Sequence, residues 1–316
     1  MEKRYLIRMN NSEDWLRHWD EGTQVVNDFI LPRGPYEKDE MSDTIYHKDA
    51  EVPYHQHEKG FETFMIAKGS VECVIRGKHF IANAGDILHI APYTPHGFRF
   101  LEEGTIWREL FQEINMAQGI MNKNTVKGNY PEYMDSPEFM EVYRNGRKAL
   151  QRETPAPVDV EKEKVHEVRT PEFAFSHYKG DGYDLKLKVG KWETNGVKEV
   201  WQAKLEKGIN IEYDYPHCNW ELYYITKGAV QFTILDETFT AGPDCLVHIP
   251  PFHKHSIKVL EDTEMFDYGG EMDLMALLED YESIKKYSPE KLDDQEFMTS
   301  FLRKYKCFVT NFYLVK

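Results

Sequence analysis

Short alternating runs of apolar and polar residues dominate the chain, and turn residues separate them. Between residues 64 and 91, four such runs are rich in β-branched and aromatic side chains. The turns Lys68-Gly69, Gly77-Lys78 and Asn83-Ala84-Gly85-Asp86 lie between them. Strands of this length at this spacing are typical of a β-sandwich or barrel. We therefore expect a mainly β protein.

Helical patterns follow the predicted strands. Ser136-Pro137-Glu138 has a capping residue followed by proline, which is typical of a helix start. Residues 271–287 place apolar side chains on one helical face, and Ser288-Pro289-Glu290 predicts the start of a last helix. We expect these helices to flank the β-domains and to pack on them or on a partner chain. A homodimer is expected, because the edges of such sheets need to be covered.

The chain repeats itself at close to half its length. Residues 62–96 and 221–255 match at a shift of 159, with 12 identical residues in 35 positions and no gap. The identities include the acidic residue that opens each segment and the histidine that closes it. The join near residues 153–160 contains Thr154-Pro155-Ala156-Pro157, which has linker composition. We therefore predict one domain at residues 1–155 and a second at residues 156–316.

Composition excludes several classes of protein. Of the 316 residues, 41% are hydrophobic and 29% are charged, which is globular rather than disordered composition. No apolar run approaches the roughly 18 residues that span a bilayer, so no membrane partner is expected. The formal charge of −15 would repel a phosphate backbone and no basic stripe offsets it, so nucleic acid is not an expected partner either.

The N-terminus and the cysteines indicate a cytoplasmic protein. The first eight residues carry charge without an apolar core behind them, so we expect no secretory signal there. The four cysteines are scattered and have no C-x-x-C spacing, which excludes a zinc ribbon and a disulfide scaffold. Reduced thiols in the cytoplasm are the expected state.

The strongest chemical motif is a group of histidines with one acidic residue in the first copy. His55 and His57 are two residues apart, so a strand would place both on one face. A short loop leads to Glu62, and His96 begins another predicted strand. Ionisable groups inside a β-barrel are costly unless they are paired or bind a metal. Three imidazoles and one carboxylate suit Fe, Mn, Co, Ni or Zn, with open positions for water or substrate.

These residues resemble the two motifs of the cupin superfamily. The first motif, here H-x-H-x4-E-x6-G, begins at His55, and Asp49 replaces its usual leading glycine. The second, here G-x6-P-x3-H, begins at Gly85 with one extra residue, and Thr94 and Phe100 replace a usual glycine and asparagine. The spacing is specific, and together with the duplication the resemblance covers most of the chain.

The resemblance implies a fold, a ligand set and catalytic residues. The fold is a bicupin: tandem cupin barrels of the double-stranded β-helix or jelly-roll type, with flanking helices. His55, His57, Glu62 and His96 are implied as ligands of one divalent transition metal per chain. Glu62 would double as a base when it leaves the metal, and Tyr54, beside the ligand residues, is the second candidate catalytic residue.

The second copy departs from the first motif. At the shift of 159, Asp214 and Pro216 take the places of the two motif histidines. His217, Glu221 and His255 form a candidate second metal site, a two-histidine, one-carboxylate set like those that bind Fe(II). The alternative is a barrel kept for packing or dimerisation, because Pro216 removes a backbone N–H where the motif strand would pair.

Strand parity predicts an aromatic pocket beside the metal. If His96 and Glu62 face the barrel interior, then Phe98, Phe100 and Phe64 face it too. An aromatic lining suits a planar or apolar small molecule. The alternative is that these residues are ordinary barrel core.

Cupins carry many chemistries, so three functional hypotheses follow. The first is a metal-dependent oxygenase that resembles dioxygenase bicupins in which one barrel is catalytic. The second is a non-oxidative metalloenzyme, an isomerase, epimerase, lyase or decarboxylase, that acts on a sugar or carboxylate. The third is a bicupin that binds a small molecule without turnover. An oxalate-decarboxylase-like enzyme is disfavoured, because that resemblance implies a full ligand set in both halves.

Overall fold

The chain forms two compact units that are mainly β. The computed structural model describes residues 6–9, 16–19, 24–30, 39–112, 125–146, 149–213, 221–249, 253–268, 274–305 and 311–313. One unit, here called the N-terminal barrel, ends at Glu172. The other, the C-terminal barrel, begins at Phe173 and also contains the strand Leu6–Met9 near the start of the chain.

The N-terminal barrel is built from two sheets. The first strand in chain order, β1 (Leu6–Met9), belongs to the C-terminal barrel. The strands of the N-terminal barrel are β2 (Leu16–Trp19), β3 (Gln24–Ile30), β4 (Asp39–Tyr46), β5 (Glu51–His57), β6 (Phe61–Lys68), β7 (Ser70–Ile75), β8 (Lys78–Asn83), β9 (Ile87–Ile90), β10 (His96–Phe100), β11 (Thr105–Gln112), β12 (Ala149–Gln151), β13 (Val158–Asp159) and β14 (Val168–Arg169). Within the described residues, β14-β9-β6-β11-β4-β3-β2 form one sheet and β12-β5-β10-β7-β8-β13 form the other.

One apolar core joins these two sheets. Alternate residues of β7, namely Val71, Cys73 and Ile75, are fully buried, and the residues between them are partly exposed. They pack with Ile66 of β6 and Trp107 of β11 from the opposite sheet. The period-2 pattern of the sequence therefore predicts the buried face correctly.

Short strands extend the N-terminal barrel past the predicted join. β12 pairs with β5, β13 with β8, and β14 with β9. The proline-rich segment suggests a linker, but the Val158 N–H donates to the Gly77 carbonyl at 2.9 Å and continues the sheet. The two units consequently divide after Glu172, later than residues 153–160. That each unit is an independent domain remains a prediction.

The C-terminal barrel repeats the two-sheet plan. Its remaining strands are β15 (His177–Gly180), β16 (Tyr183–Val189), β17 (Val200–Leu205), β18 (Asn210–Tyr213), β19 (Glu221–Lys227), β20 (Val230–Ile234), β21 (Glu237–Ala241), β22 (Cys245–Ile249), β23 (His255–Val259), β24 (Thr263–Asp267) and β25 (Asn311–Tyr313). Among the described strands, β1-β22-β19-β24-β17-β16-β15 form one sheet and β21-β20-β23-β18-β25 the other.

Four α-helical segments accompany the barrels in the described part of the chain: residues 125–129, α1 (Pro137–Gly146), α2 (Leu274–Tyr287) and α3 (Gln295–Lys304). The Phe139 N–H donates to Ser136 Oγ at 3.2 Å, which confirms the predicted cap of α1. The last helix differs from the prediction. Ser288 precedes a short 3₁₀ turn, and α3 starts later because the Asp294 carboxylate caps it by accepting from the Phe297 N–H at 3.0 Å.

Across the described residues, no helix combines the length and the apolar character needed to cross a membrane.

Two of the cysteines, Cys73 and Cys245, are buried free thiols, and burial raises the pKa of the Cys73 thiol. A thiol held in its protonated form by apolar surroundings is chemically inert.

Candidate metal centre

The four residues of the histidine and glutamate motif converge between the two sheets of the N-terminal barrel. His55 and His57 lie at the end of β5, and His96 begins β10 in the same sheet. Glu62 lies on β6 in the other sheet. One ligand atom from each residue lies within 4.8 Å of the others. His96 is 1% exposed and Glu62 4%, whereas His57 is partly exposed and gives the cluster its contact with solvent.

The contacts within this cluster run through the imidazole Nε2 atoms. His55 Nε2 lies 3.1 Å from His57 Nε2. His57 Nε2 lies 3.1 Å from Glu62 Oε1, and His96 Nε2 lies 3.1 Å from Glu62 Oε2. The carboxylate therefore directs one oxygen to each of two imidazoles.

Backbone carbonyl groups hold two of the rings in this orientation. The Nδ1–H of His55 donates to the carbonyl of Pro53 at 2.7 Å, and that of His96 to the carbonyl of Thr94 at 2.8 Å. In this tautomer the proton is on Nδ1, so Nε2 directs a lone pair into the cluster. Such hydrogen bonds to the distal nitrogen are typical of histidines that bind metals.

The electrostatics of the cluster favour the protonation states that a metal needs. Burial lowers the pKa of His55 to about 3, and the neighbouring His96 imidazole adds to the shift. Burial by itself favours the neutral carboxyl group of Glu62, but His57 and His96 outweigh it and hold the pKa of Glu62 well below its usual value. A neutral imidazole and an ionised carboxylate are the forms that coordinate metals.

Unsatisfied atoms at the centre of the cluster fit a cation. Glu62 Oε2 and His96 Nε2 are buried, and within the described part of the chain neither makes a hydrogen bond of good geometry. A buried polar atom without a partner costs about 1–3 kcal/mol. A divalent cation would satisfy both atoms, and three imidazole nitrogens with one carboxylate suit Mn, Fe, Co, Ni or Zn. The cluster is therefore a candidate site for a divalent metal, whose identity the donor set leaves open.

The predicted pocket residues lie in the barrel core next to the cluster. The ring centroid of Phe64 is 5.7 Å from that of Phe98, and Trp107 lies 4.5 Å from Phe64 and 4.8 Å from Phe98. Phe100 stacks on Tyr46 at 3.5 Å. These rings pack on one another and form a wall behind the ligands, so their assignment to a substrate pocket remains a prediction.

Tyr54 lies on the opposite face of β5 from His55 and His57. Consecutive residues of a strand point to opposite sides, so the parity that brings the two histidines inward turns Tyr54 outward. Burial raises the pKa of Tyr54, and its other electrostatic neighbours are Gly77 and Arg152 rather than the cluster. The structure therefore gives no support to Tyr54 as a catalytic residue.

Sequence reasoning missed a second interior carboxylate, Glu109. This residue is 3% exposed, and its Oε2 accepts hydrogen bonds from the hydroxyls of Ser42 and Thr44, each at 3.4 Å. In sequence, Glu109 looks like part of a charged surface patch with Arg108. The signal that would have found it is strand parity from Trp107, which places position 109 on the same inner face.

The C-terminal barrel retains part of the second candidate site. His255 Nε2 lies 2.9 Å from Glu221 Oε2. The Tyr223 hydroxyl donates to the same oxygen at 2.6 Å. His217 and Asp214 lie outside the described residues, so the second metal site remains a prediction.

Comparisons with known proteins agree with this architecture. Residues 43–106 match the family described as the cupin domain, and residues 213–308 match the AraC-like ligand binding domain. A search of curated protein sequences gave no significant match.

Several solved structures resemble the chain over most of its length. Oxalate decarboxylase from Bacillus subtilis, studied for its Mn(II) centres, superposes with a TM-score of 0.52 and 16% identity, over 83% of this chain and 77% of that chain. The formate complex of oxalate decarboxylase from Lactobacillus farciminis gives 0.51 and 14%, over 84% and 86%. At these identities the likeness shows the fold. With two barrels, two cupin-type family matches and this fold, the chain belongs to the cupin superfamily as a two-domain bicupin.

Proposed function

We propose that the N-terminal barrel is the active site of a metal-dependent, non-oxidative enzyme that acts on a small carboxylate or sugar. The observation that carries this proposal is the convergence of four ligand atoms within 4.8 Å in the barrel interior. Among the hypotheses from sequence, this is the isomerase, epimerase, lyase or decarboxylase alternative rather than the dioxygenase.

Two findings favour this alternative. The two solved structures compared above are oxalate decarboxylases, one studied for its Mn(II) centres and one with bound formate. In addition, the aromatic residues that suggest a planar substrate pack against one another in the core, as Phe64 does with Trp107. The incomplete second ligand set counts against oxalate itself as the substrate, so the proposal names the reaction class.

The cluster supplies the chemistry that such reactions share. A divalent metal held by His55, His57, Glu62 and His96 would polarise a carbonyl or carboxylate oxygen of the substrate. The chain itself keeps the His55 imidazole neutral, orients the rings of His55 and His96, and maintains the negative charge of Glu62. The buried rings behind the cluster exclude water, which strengthens every charge interaction made there. That Glu62 also acts as a base remains a prediction.

Turnover without oxygen is the test of the proposal. The purified chain is loaded with Mn(II) or Fe(II) and incubated under argon with oxalate, 2-oxo acids, aldoses and ketoses, and products are followed by NMR. We expect turnover of at least one class, and its loss in His57→Ala. Turnover that requires O2, with measurable O2 uptake, would instead establish the oxygenase. A small molecule that copurifies unchanged, with no turnover of any class, would indicate a binding protein.

We also propose a homodimer, one metal per chain and a cytoplasmic location. The flanking helices and the exposed sheet edges support the dimer. Light scattering after size-exclusion chromatography tests it, and a monomer over the micromolar range would contradict it.

A further inference from the structure

A cluster of hydroxyl groups surrounds the second interior carboxylate of the N-terminal barrel. Ser42, Thr44 and Tyr46 occupy alternate positions of β4 and share one face. Ser42 and Thr44 donate to Glu109 as described above. Burial raises the pKa of Tyr46 well above its ordinary value, and the negative charge of Glu109 and a hydrogen bond between the two side chains add to the shift. All four residues are buried.

This hydroxyl cluster lies on the same inner face as the candidate metal ligands. β11 pairs with β6 in a register that sets Glu109 opposite Phe64 and Phe111 opposite Glu62. Glu62 and Glu109 are therefore diagonal neighbours on adjacent strands, a relation that places their backbones about 7–8 Å apart. The Glu62 charge makes a further, smaller contribution to the raised pKa of Tyr46. A small molecule bound at the metal ligands would lie within reach of Glu109.

The C-terminal barrel provides an internal comparison at the same register. Ser42 pairs with Glu109 across β4 and β11, and Trp201 pairs with Asp267 across β17 and β24. At the shift of 159, the three hydroxyl residues correspond to apolar ones, namely Trp201, Ala203 and Leu205. The barrel with the complete ligand set has the hydroxyl cluster, and the barrel with the incomplete set lacks it.

Stability does not account for the hydroxyl cluster. A buried carboxylate costs desolvation energy that hydroxyl donors only partly return, and apolar replacements of similar shape are often neutral or stabilising. The second barrel has apolar side chains at the positions of the three hydroxyl residues, although it has a carboxylate, Asp267, at the position of Glu109. A carboxylate at this place in the fold therefore does not require the hydroxyl cluster. A polar group that is kept where the packing does not require it is a candidate for chemistry.

We propose that Glu109, held by the hydroxyls of Ser42, Thr44 and Tyr46, is the acid–base residue that exchanges a proton with the substrate bound at the metal ligands. This rests on the proposed function. In an isomerisation of a hydroxy carbonyl compound, Glu109 takes the proton from the carbon that bears the hydroxyl group, and the C–H electron pair forms a C–C double bond while the carbonyl oxygen takes up the negative charge. The hydroxyl proton passes to that oxygen, a new carbonyl forms on the first carbon, and Glu109 returns its proton to the former carbonyl carbon. In a decarboxylation, the C–C bond breaks, CO2 leaves, and protonated Glu109 gives its proton to the carbon that retains the electron pair; solvent then restores it.

Deuterium incorporation from D2O tests this assignment directly. The Mn(II)-loaded chain is incubated in D2O with oxalate, 2-oxo acids and ketoses, and deuterium on carbon is measured by mass spectrometry and NMR. We expect Glu109→Gln to reduce incorporation about 100- to 10,000-fold, which is the usual contribution of general acid–base catalysis. Its Mn content is expected to remain that of the wild type, whereas Glu62→Gln is expected to lose Mn.

Matched variants separate a chemical role from a structural one. Asp267→Asn removes the corresponding carboxylate of the other barrel and is expected to leave incorporation unchanged. Tyr46→Phe removes one hydroxyl donor of the cluster and is expected to reduce deuterium incorporation about 10- to 100-fold, as loss of a supporting contact does. If Glu109→Gln fails to fold, the result for Tyr46→Phe tests the assignment of Glu109 in its place. Wild-type deuterium incorporation in Glu109→Gln, or loss of Mn from it as from Glu62→Gln, would overturn the acid–base role of Glu109 but not the proposed function. No incorporation by the wild type with any substrate would overturn the proposed function as well.

Discussion

The two barrels hold a buried carboxylate at the same place and satisfy it in different ways. In the N-terminal barrel, Glu62 faces two imidazoles and keeps a buried oxygen without a good hydrogen bond among the described residues. In the C-terminal barrel, Glu221 meets the imidazole of His255 and accepts a hydrogen bond from Tyr223. Phe64 stands at the position that corresponds to Tyr223. The Tyr223 hydroxyl therefore gives Glu221 a donor that the ring of Phe64 cannot give Glu62.

This difference shows that the fold can provide the carboxylate with a hydrogen-bond donor of its own. The C-terminal barrel has the same two-sheet plan and a large apolar core, and its carboxylate has a tyrosine hydroxyl as donor. The Glu62 oxygen that lacks a good hydrogen bond among the described residues is thus not a requirement of this fold. A buried carboxylate oxygen left open in this way needs an explanation such as a bound ion, which indicates a binding function for the N-terminal barrel.

Removing one imidazole from each barrel in turn should give the largest difference between the barrels, measured as bound metal. His57→Ala deletes one of four ligands and is expected to remove most of the bound metal, whereas His255→Ala is expected to leave the metal content unchanged. Elemental analysis of freshly purified protein measures both. Unchanged metal in His57→Ala would show that the N-terminal site is misassigned. Equal losses in the two variants would show that both barrels bind metal.

Copying the tyrosine into the N-terminal barrel should weaken the metal site without deleting a ligand. Phe64→Tyr places a hydroxyl beside Glu62, where it is expected to compete with the metal for the carboxylate. Changes to groups that contact ligands typically cost 10- to 100-fold in affinity, and we expect a loss of about that size. Competition with a chelator measures it, with Phe64→Leu as a control that alters the ring but adds no donor. Equal metal affinities in Phe64→Tyr and wild type would show that a tyrosine hydroxyl at this position is not what makes Glu221 differ from Glu62.

The ligand set and the β-architecture could be predicted from sequence because both depend on local patterns. Two histidines at i and i+2 share a strand face wherever that strand lies, and the duplication marks the equivalent positions of both copies. The same rule, applied to β5, places Tyr54 on the opposite face from His55, which argues against Tyr54 as a catalytic candidate from the sequence alone. The three strands between residues 149 and 169 are two or three residues long, too short to leave a periodic signal.

Strand parity could have placed Glu109 on the inner face, but the partners of Glu109 could not be predicted from sequence. Its role depends on which strand lies beside β11 and in which register, and pairings between residues as distant as Ser42 and Glu109 are not encoded in any local pattern. The packing of Phe64, Phe98 and Trp107 on one another is likewise a tertiary property. Parity gives the face of each residue, but not whether that face lines a pocket or fills a core.

The tyrosine of the C-terminal barrel should contribute measurably to stability. Tyr223→Phe leaves the buried Glu221 carboxylate without its hydroxyl donor, which is expected to cost about 1–3 kcal/mol of unfolding free energy. Tyr224→Phe is the matched control, because its hydroxyl donates to the exposed Asp244 at 3.1 Å and its ring is equally buried. Urea unfolding measures both variants. Equal losses of unfolding free energy in the two variants would mean that the hydrogen bond from Tyr223 to Glu221 stabilises the barrel no more than a surface hydrogen bond does.

The smallest expected contrast lies on the outer sheet surface. His79 bridges Asp159 at 2.6 Å and Glu72 at 2.7 Å, whereas Thr238, at the corresponding position of the C-terminal barrel, makes a neutral hydrogen bond with Thr233 at 2.9 Å. The hydrogen bond to Asp159, and then that to Glu72, raise the pKa of His79 above its ordinary value of 6.5. The stabilisation is therefore complete below pH 6.5 and is lost as pH rises through the raised pKa.

For partly exposed groups this stabilisation amounts to at most about 1 kcal/mol. The unfolding free energy of the wild type minus that of His79→Gln should consequently be larger at pH 6 than at pH 9. Thr238→Val, the matched change in the other barrel, should give a difference that is flat over the same range because neither threonine titrates. Urea unfolding at four pH values measures both series. A His79→Gln difference that does not change with pH would show that the two surfaces are held together in the same way, by contacts that carry no titrating charge.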